Sequence, residues 1–169
     1  MTSKDKPIAV TMGEPSGISS EIIIKAWLKR NTYNLQPFVL IDDINKLQKI
    51  NKYFKLNASF HPLSEDEDAS KIFSKAIPVV DINASINFKL GEPDFKNSKF
   101  VIKSINKALT LVLNKEASGM ITLPVCKKTL KKAKFNFNGQ TEYLAYRTMK
   151  KIGKRQSEIM ILSTTRPVD

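Results

Sequence analysis

The sequence predicts an α/β fold, a mainly parallel sheet with helices on both faces, incomplete at its C-terminus. Two observations predict it. Short, continuously apolar runs recur along the 169 residues, as in strands covered on both faces rather than on one. Helical segments separate those runs, and strand followed by helix, repeated, is the α/β signature.

The first run is "IAVTM" (8–12), which leads into "TMGEPSGISSE" (11–21). Strand, glycine-bearing turn and helix is the order in which helix-start amides meet an anion. Gly13 and Gly17 permit tight turns, and Glu21 falls in the first helical turn. The spacing is neither the dinucleotide fingerprint nor a Walker loop, so a plain strand-to-helix connection stays open. The next strand is "FVLI" (38–41). Residues 57–76 are less regular, acidic in the middle, and suit a surface course with room for one short strand. They hold the single histidine, His61. With no second histidine and no paired carboxylate at ligand spacing, it is assigned neither a metal nor a catalytic role.

"IPVVDI" (77–82) is the next strand and "GEPDF" (91–95) is turn chemistry. In residues 97–116, Val101, Ile105, Ala108 and Val112 repeat at helical spacing beside Ile102, Leu109 and Leu113. Asn97 or Ser98 is expected to cap that helix. In "GMITLPVCKKTL" (119–130) a strand is expected to end at Pro124, with Cys126 and Lys127 opening a helix. Lys127 could hold a phosphate or carboxylate as a point charge, against the bland reading of a lysine-rich surface helix. Cys126 is expected to be buried as a small apolar residue rather than to act as an activated thiol. In "NFNGQTEYLAYRTM" (136–149), Gly139 opens a helix that carries Leu144, Ala145, Met149 and Ile152. Gln140 and Thr141 either cap it or line a site. The last run, "IMIL" (159–162), is expected to be a strand, and the chain stops soon after at "STTRPVD".

The length suits a single core. No apolar run approaches the ~20 residues of a membrane span, and the N-terminus lacks the pattern of a secretory signal. One cysteine excludes an intrachain disulfide, and a cytoplasmic location is expected. Lys and Arg number 28 against 16 acidic residues, a formal charge of +12. The surplus is lysine spread along the chain. Its densest segments, 127–134 and 150–155, lack Arg-rich base readers and interleaved stacking aromatics. Solvated faces, with some attraction for an anionic substrate, are favoured over nucleic-acid binding.

Taken together, "GEPSGISSE", "TLPVCK" and "GQTEYLA" resemble, in order and spacing, the motifs of the 4-hydroxythreonine-4-phosphate dehydrogenase family of pyridoxal phosphate (vitamin B6) synthesis. The family patterns are G-[DE]-P-[AS]-G-I-G-P-E, T-G-P-[IV]-x-K and G-H-T-E-[FY]-L-A. The resemblance implies a two-part α/β fold, isocitrate/isopropylmalate dehydrogenase-like, a homodimer, and an active site in a cleft between the parts. It implies NAD-dependent oxidation of 4-phosphooxy-L-threonine and loss of CO₂, with a divalent metal polarising the reacting oxygen. By position it implies substrate contacts at Gln140, Thr141 and Lys127. Gln140 stands where the family has histidine, and cannot carry its charge. Leu123 replaces a family glycine, and Ser19 and Ser20 replace a Gly-Pro pair.

The family's metal-binding histidines and most of its NAD contacts fall beyond residue 169, so no catalytic, metal or cofactor residue is assigned here. The chain is therefore expected to be the N-terminal portion (1–169) of such a dehydrogenase, inactive alone. The alternatives are a dehydrogenase of another phosphorylated or carboxylated hydroxy acid, and a non-catalytic remnant that binds a ligand or partner.

Overall fold

The computed structural model describes residues 6–154 and residue 159. The expected strand at 159–162 lies, but for its first residue, outside them. Two compact units are distinguished, residues 1–136 and 137–169.

In the first unit the strands are β1 (Ile8–Thr11), β2 (Phe38–Asp42), β3 (Phe60–Pro62), β4 (Ile77–Asp81) and β5 (Gly119–Ile121). They form one sheet in the order β3-β4-β2-β1-β5. Every pairing is parallel, as the continuous apolar runs require. The helices are α1 (Ser19–Leu28), α2 (Ile44–Tyr53), α3 (Ala69–Phe73), α4 (Ser98–Leu113) and α5 (Lys127–Lys132).

Successive strand side chains point to opposite faces, and both faces are filled. Val10, Leu40 and Val79 join Ile24 and Trp27 of α1, Leu47 and Ile50 of α2 and Phe73 of α3 in one core. Burying each large apolar side chain contributes about 1.5–3 kcal/mol. Trp27 adds a polar anchor, its Nε1 donating to the Phe73 carbonyl at 2.9 Å. On the other face α4 packs across β1, β2 and β5, with Val101, Ile105 and Ala108 buried. Ser104 of α4 is buried too. Its hydroxyl donates to Ile41 O (2.7 Å) and accepts from Met12 N (2.9 Å), which ties the helix to the ends of β1 and β2.

Four local expectations are corrected. Strand β5 stops at Ile121 rather than Pro124, because residues 122–124 leave the ladder to bond the turn after β1; Leu123 is apolar as a core residue, not as a strand residue. Asn97 does not cap α4 with its side chain. Its Nδ2 donates to Asn87 O at 2.9 Å, and a 3-10 turn (Phe95–Asn97), capped by Asp94, precedes the helix. Cys126 is half-buried rather than buried. Residues 57–76 contain a helix besides the short strand, with Asp68 as N-cap accepting from Ser70 N. Five residues are too few to show a helical period.

The described part of the second unit is α6 (Gln140–Ile152). Gly139 precedes it in extended backbone, φ −168°, and Gly153 ends it in the left-handed region, φ +73°, the usual glycine stop. Phe137 packs edge-on against Tyr143 at a ring separation of 5.1 Å. No helix among the described residues is long and apolar enough to cross a membrane.

Candidate functional site

In an open parallel sheet, ligands bind beyond the carboxyl ends of the strands, where the strand order reverses. Here β1 has β2 on one side and β5 on the other, so that point lies between β1 and β5. The two sequence motifs at 11–21 and 119–130 follow those two strands, and the structure brings them into direct contact. Glu14 N donates to Pro124 O at 2.8 Å, Ser19 Oγ donates to the same carbonyl at 3.2 Å, and Leu123 N donates to Thr11 Oγ1 at 3.1 Å. Gly13 makes this close approach possible. Its φ is +68°, and a Cβ there would lie 2.3 Å from Ser19 Oγ and 2.8 Å from Pro124 O.

The turn so fixed presents Glu14, whose side chain is buried. Its Oε1 accepts from Ser16 N and its Oε2 from Thr129 Oγ1 of α5, both at 3.3 Å. Burial pushes its carboxyl above the usual range and Asp94 adds to that, while the two hydrogen bonds and Lys46 oppose it. The Thr129 hydroxyl also donates to Cys126 O at 2.8 Å. With a single proton to give, it serves Glu14 only part of the time.

Thr129 also lines an open cleft of about 640 Å³ between the 87–96 segment and α5. Asp94, Phe95, Lys96, Cys126 and Lys128 line it as well. The volume is that of small-molecule sites.

Behind the turn lies a buried ionic group. Lys46 Nζ donates to Asp42 Oδ2 (2.9 Å) and to Ser20 Oγ (2.7 Å). The lysine and aspartate side chains are 0% and 1% exposed. Burial raises the Asp42 carboxyl to about 6, against the pull of Lys46. Ser20 lies in the first turn of α1 and Asp42 ends β2, so the lysine clamps the two together. Asp43 caps α2 through Oδ1 to Lys46 N (2.8 Å), while its Oδ2 accepts from Ala84 N (2.9 Å) and Ser85 N (3.0 Å). It thereby holds the chain that leaves β4.

Of the sequence-assigned residues, Lys127 is the exposed first residue of α5, and the cleft is lined by its neighbour Lys128 instead. Gln140 and Thr141 belong to the second unit, as the first two residues of α6, half-buried and exposed respectively. Neither caps the helix through its side chain; Gly139 stands at the cap. His61 sits on β3 and pairs with Glu67 at 2.9 Å, partly exposed.

Sequence reasoning passed over Glu14, Asp42, Lys46 and Thr129. Two carboxylates directly after a buried strand, "FVLIDD", were the available signal for the ionic group. Nothing local marked Thr129.

Among the described residues no three His, Cys, Asp or Glu side chains converge as metal ligands. In the β1–α1 turn, Glu14 N and Gly17 N are already bonded to carbonyls, and the turn carries the buried Glu14 carboxylate, which would repel a pyrophosphate. The described residues hold no metal-ligand cluster, and the β1–α1 turn does not fit a pyrophosphate.

A family model for the pyridoxal phosphate biosynthetic protein PdxA matches residues 34–166, which takes in the second and third motifs. The 4-hydroxythreonine-4-phosphate dehydrogenase of Zymomonas mobilis is 34% identical over 142 residues, 84% of this chain and 41% of that protein. That of Methylorubrum populi is 37% identical over 149 residues, 86% of this chain and 42% of its own length. Among solved structures, the Klebsiella pneumoniae enzyme of that name matches with a TM-score of 0.69 at 28% identity, over 85% of this chain and 45% of its own. The Burkholderia phymatum enzyme matches with a TM-score of 0.75 at 19% identity, over 85% and 43%, which supports the fold. The chain thus spans less than half the length of these relatives. A model match over most of the chain, relatives above 30% identity and the shared fold agree: the chain belongs to the PdxA family.

Proposed function

We propose that residues 1–169 form the N-terminal portion of an NAD-dependent dehydrogenase that oxidises 4-phosphooxy-L-threonine, in a homodimer using a divalent metal. The observation that carries this reading is family membership across residues 34–166. In it, NAD would supply the hydride acceptor for the secondary hydroxyl. The chain's own residues bind and orient: Thr141 offers a hydroxyl to the substrate, Gln140 a neutral amide, and Lys127 a positive charge for phosphate or carboxylate. On this reading the 169-residue chain does not turn over alone.

NADH formation from 4-phosphooxy-threonine, a divalent metal and NAD is the test, run on this chain and on a version extended to the length of the relatives. Turnover is expected only in the extended protein. Turnover by the 169-residue chain would refute the division of labour, and none by either would refute the activity. Gln140 favours a second reading, in which another phosphorylated or carboxylated hydroxy acid is the substrate. Comparing substrates in the extended protein with Gln140 and with Gln140→His decides between them. If the threonine phosphate is best in both and the variant changes nothing, the second reading fails.

A further inference from the structure

The cleft beside Glu14 is lined by Lys89, Lys96, Lys128 and Lys132 against Glu92 and Asp94. Two of these lysines are engaged: Lys89 with Glu92 at 2.6 Å, and Lys132 over the Phe95 ring at 4.6 Å. Among the described residues, neither Lys96 nor Lys128 has an ion-pair partner. One wall of the cleft is Thr129, whose hydroxyl donates to the buried Glu14. Two lysines without an ion-pair partner among the described residues therefore line this space, and a buried carboxyl lies one hydrogen bond behind its Thr129 wall.

We propose that this cleft binds a small oxyanion, a phosphate or carboxylate group, between Lys96 and Lys128, and that its binding is coupled to proton uptake by Glu14. The inference goes beyond the dehydrogenase reading and stands without it. An anion in the cleft brings a second negative charge toward a carboxyl whose ionised form burial already disfavours. Taking up a proton removes that repulsion and makes Glu14 a donor rather than an acceptor. By reciprocity, a protonated Glu14 tightens the anion by the same factor. The groups facing Glu14 are Ser16 from its own turn, Lys46 from α2, Asp94 from before α4 and Thr129 from α5. Cys126 and the cleft lysines line the cleft together with Thr129.

Sulfate is a suitable probe, because it stays a dianion across the range in which Glu14 titrates. It would be titrated at fixed ionic strength into the 169-residue chain, following the backbone amide shifts of Gly91, Lys96 and Thr129. Calorimetry in two buffers of different ionisation heat reports the proton directly. Affinity is expected to fall as pH rises and Glu14 loses its proton, in the wild type and in Asp42→Asn. It should stay nearly flat in Glu14→Gln, which still binds. The double variant Lys96→Ala/Lys128→Ala should lose the localised shifts. Parallel titrations with inorganic phosphate and malonate then tell a phosphate site from a carboxylate site. Absence of saturable shifts at the cleft would overturn the site. An unchanged pH dependence in Glu14→Gln, or equal heats in the two buffers, would overturn the coupling. The buffer comparison uses wild type alone, so it decides the matter even if Glu14→Gln does not fold.

Discussion

Lys46→Met removes one charge from a buried pair and leaves its volume nearly unchanged. In the native chain Lys46 Nζ lies 2.9 Å from Asp42 Oδ2, with both side chains sealed from water. Removing one member of such a pair costs about 3–5 kcal/mol, because the other is left charged without compensation. The lost donation to Ser20 belongs to the same deletion. Against a total stability on the order of 5–15 kcal/mol, that is a large share.

The cost must depend on pH, and the sign follows from Asp42. Its carboxyl is raised from 3.8 to about 6 by burial, so between those values the native chain holds a proton that the unfolded chain has lost. Stability from this group is therefore fully present below the lower value. It falls by about 3 kcal/mol as pH rises through the upper one. In Lys46→Met the charge and hydrogen bond that held Asp42 down are gone. Asp42 then keeps its proton to still higher pH, and acidification narrows the gap to wild type. Urea unfolding followed by the fluorescence of Trp27, the single tryptophan, measures both effects. Asp42→Asn on the Lys46→Met background should restore at least half of the loss. A loss under about 1 kcal/mol at about pH 7.5, or one equal at about pH 5 and pH 8, would refute the reasoning.

Further expectations concern the turns around the cleft and the end of α6. Gly13→Ala forces a Cβ onto Ser19 Oγ and Pro124 O at φ +68°. It should cost more than the about 1 kcal/mol typical of strain-free glycine replacement, read as a lowered Tm; an unchanged Tm would show that the two turns are not locked together. Asp43→Ala removes the cap of α2 and leaves Ala84 N and Ser85 N without their acceptor, an expected loss of about 2–4 kcal/mol. Asp43→Asn should be milder, and equal losses in the denaturation curves would contradict the capping role. Gly153→Ala at the left-handed end of α6 should cost about 1 kcal/mol in helix stability, visible as faster amide exchange in its last turn.

Much of the fold is legible because strand burial writes itself locally. "FVLID" is buried throughout, and only a strand covered on both faces tolerates such a run. The amphipathic period of 97–116 likewise marked α4, since the helix repeats its contact with the sheet every turn. Apolarity misled at 122–125, where Leu123 is buried in the core without belonging to the ladder. A hydrophobic pattern records burial, not hydrogen-bond partners.

For the site, the sequence by itself determined the motif order and, through it, the family. It also marked the glycine-bearing turn after β1 and the helix start after β5. That Glu14 meets Thr129, that Lys46 reaches Asp42 and Ser20, and that Lys128 rather than Lys127 lines the cleft were decided by tertiary structure. The parallel order β2-β1-β5 sets the ends of β1 and β5 side by side, joining turns more than a hundred residues apart along the chain. Charge and proton affinity depend on what closes around a side chain, and in a parallel sheet those neighbours arrive from distant crossovers.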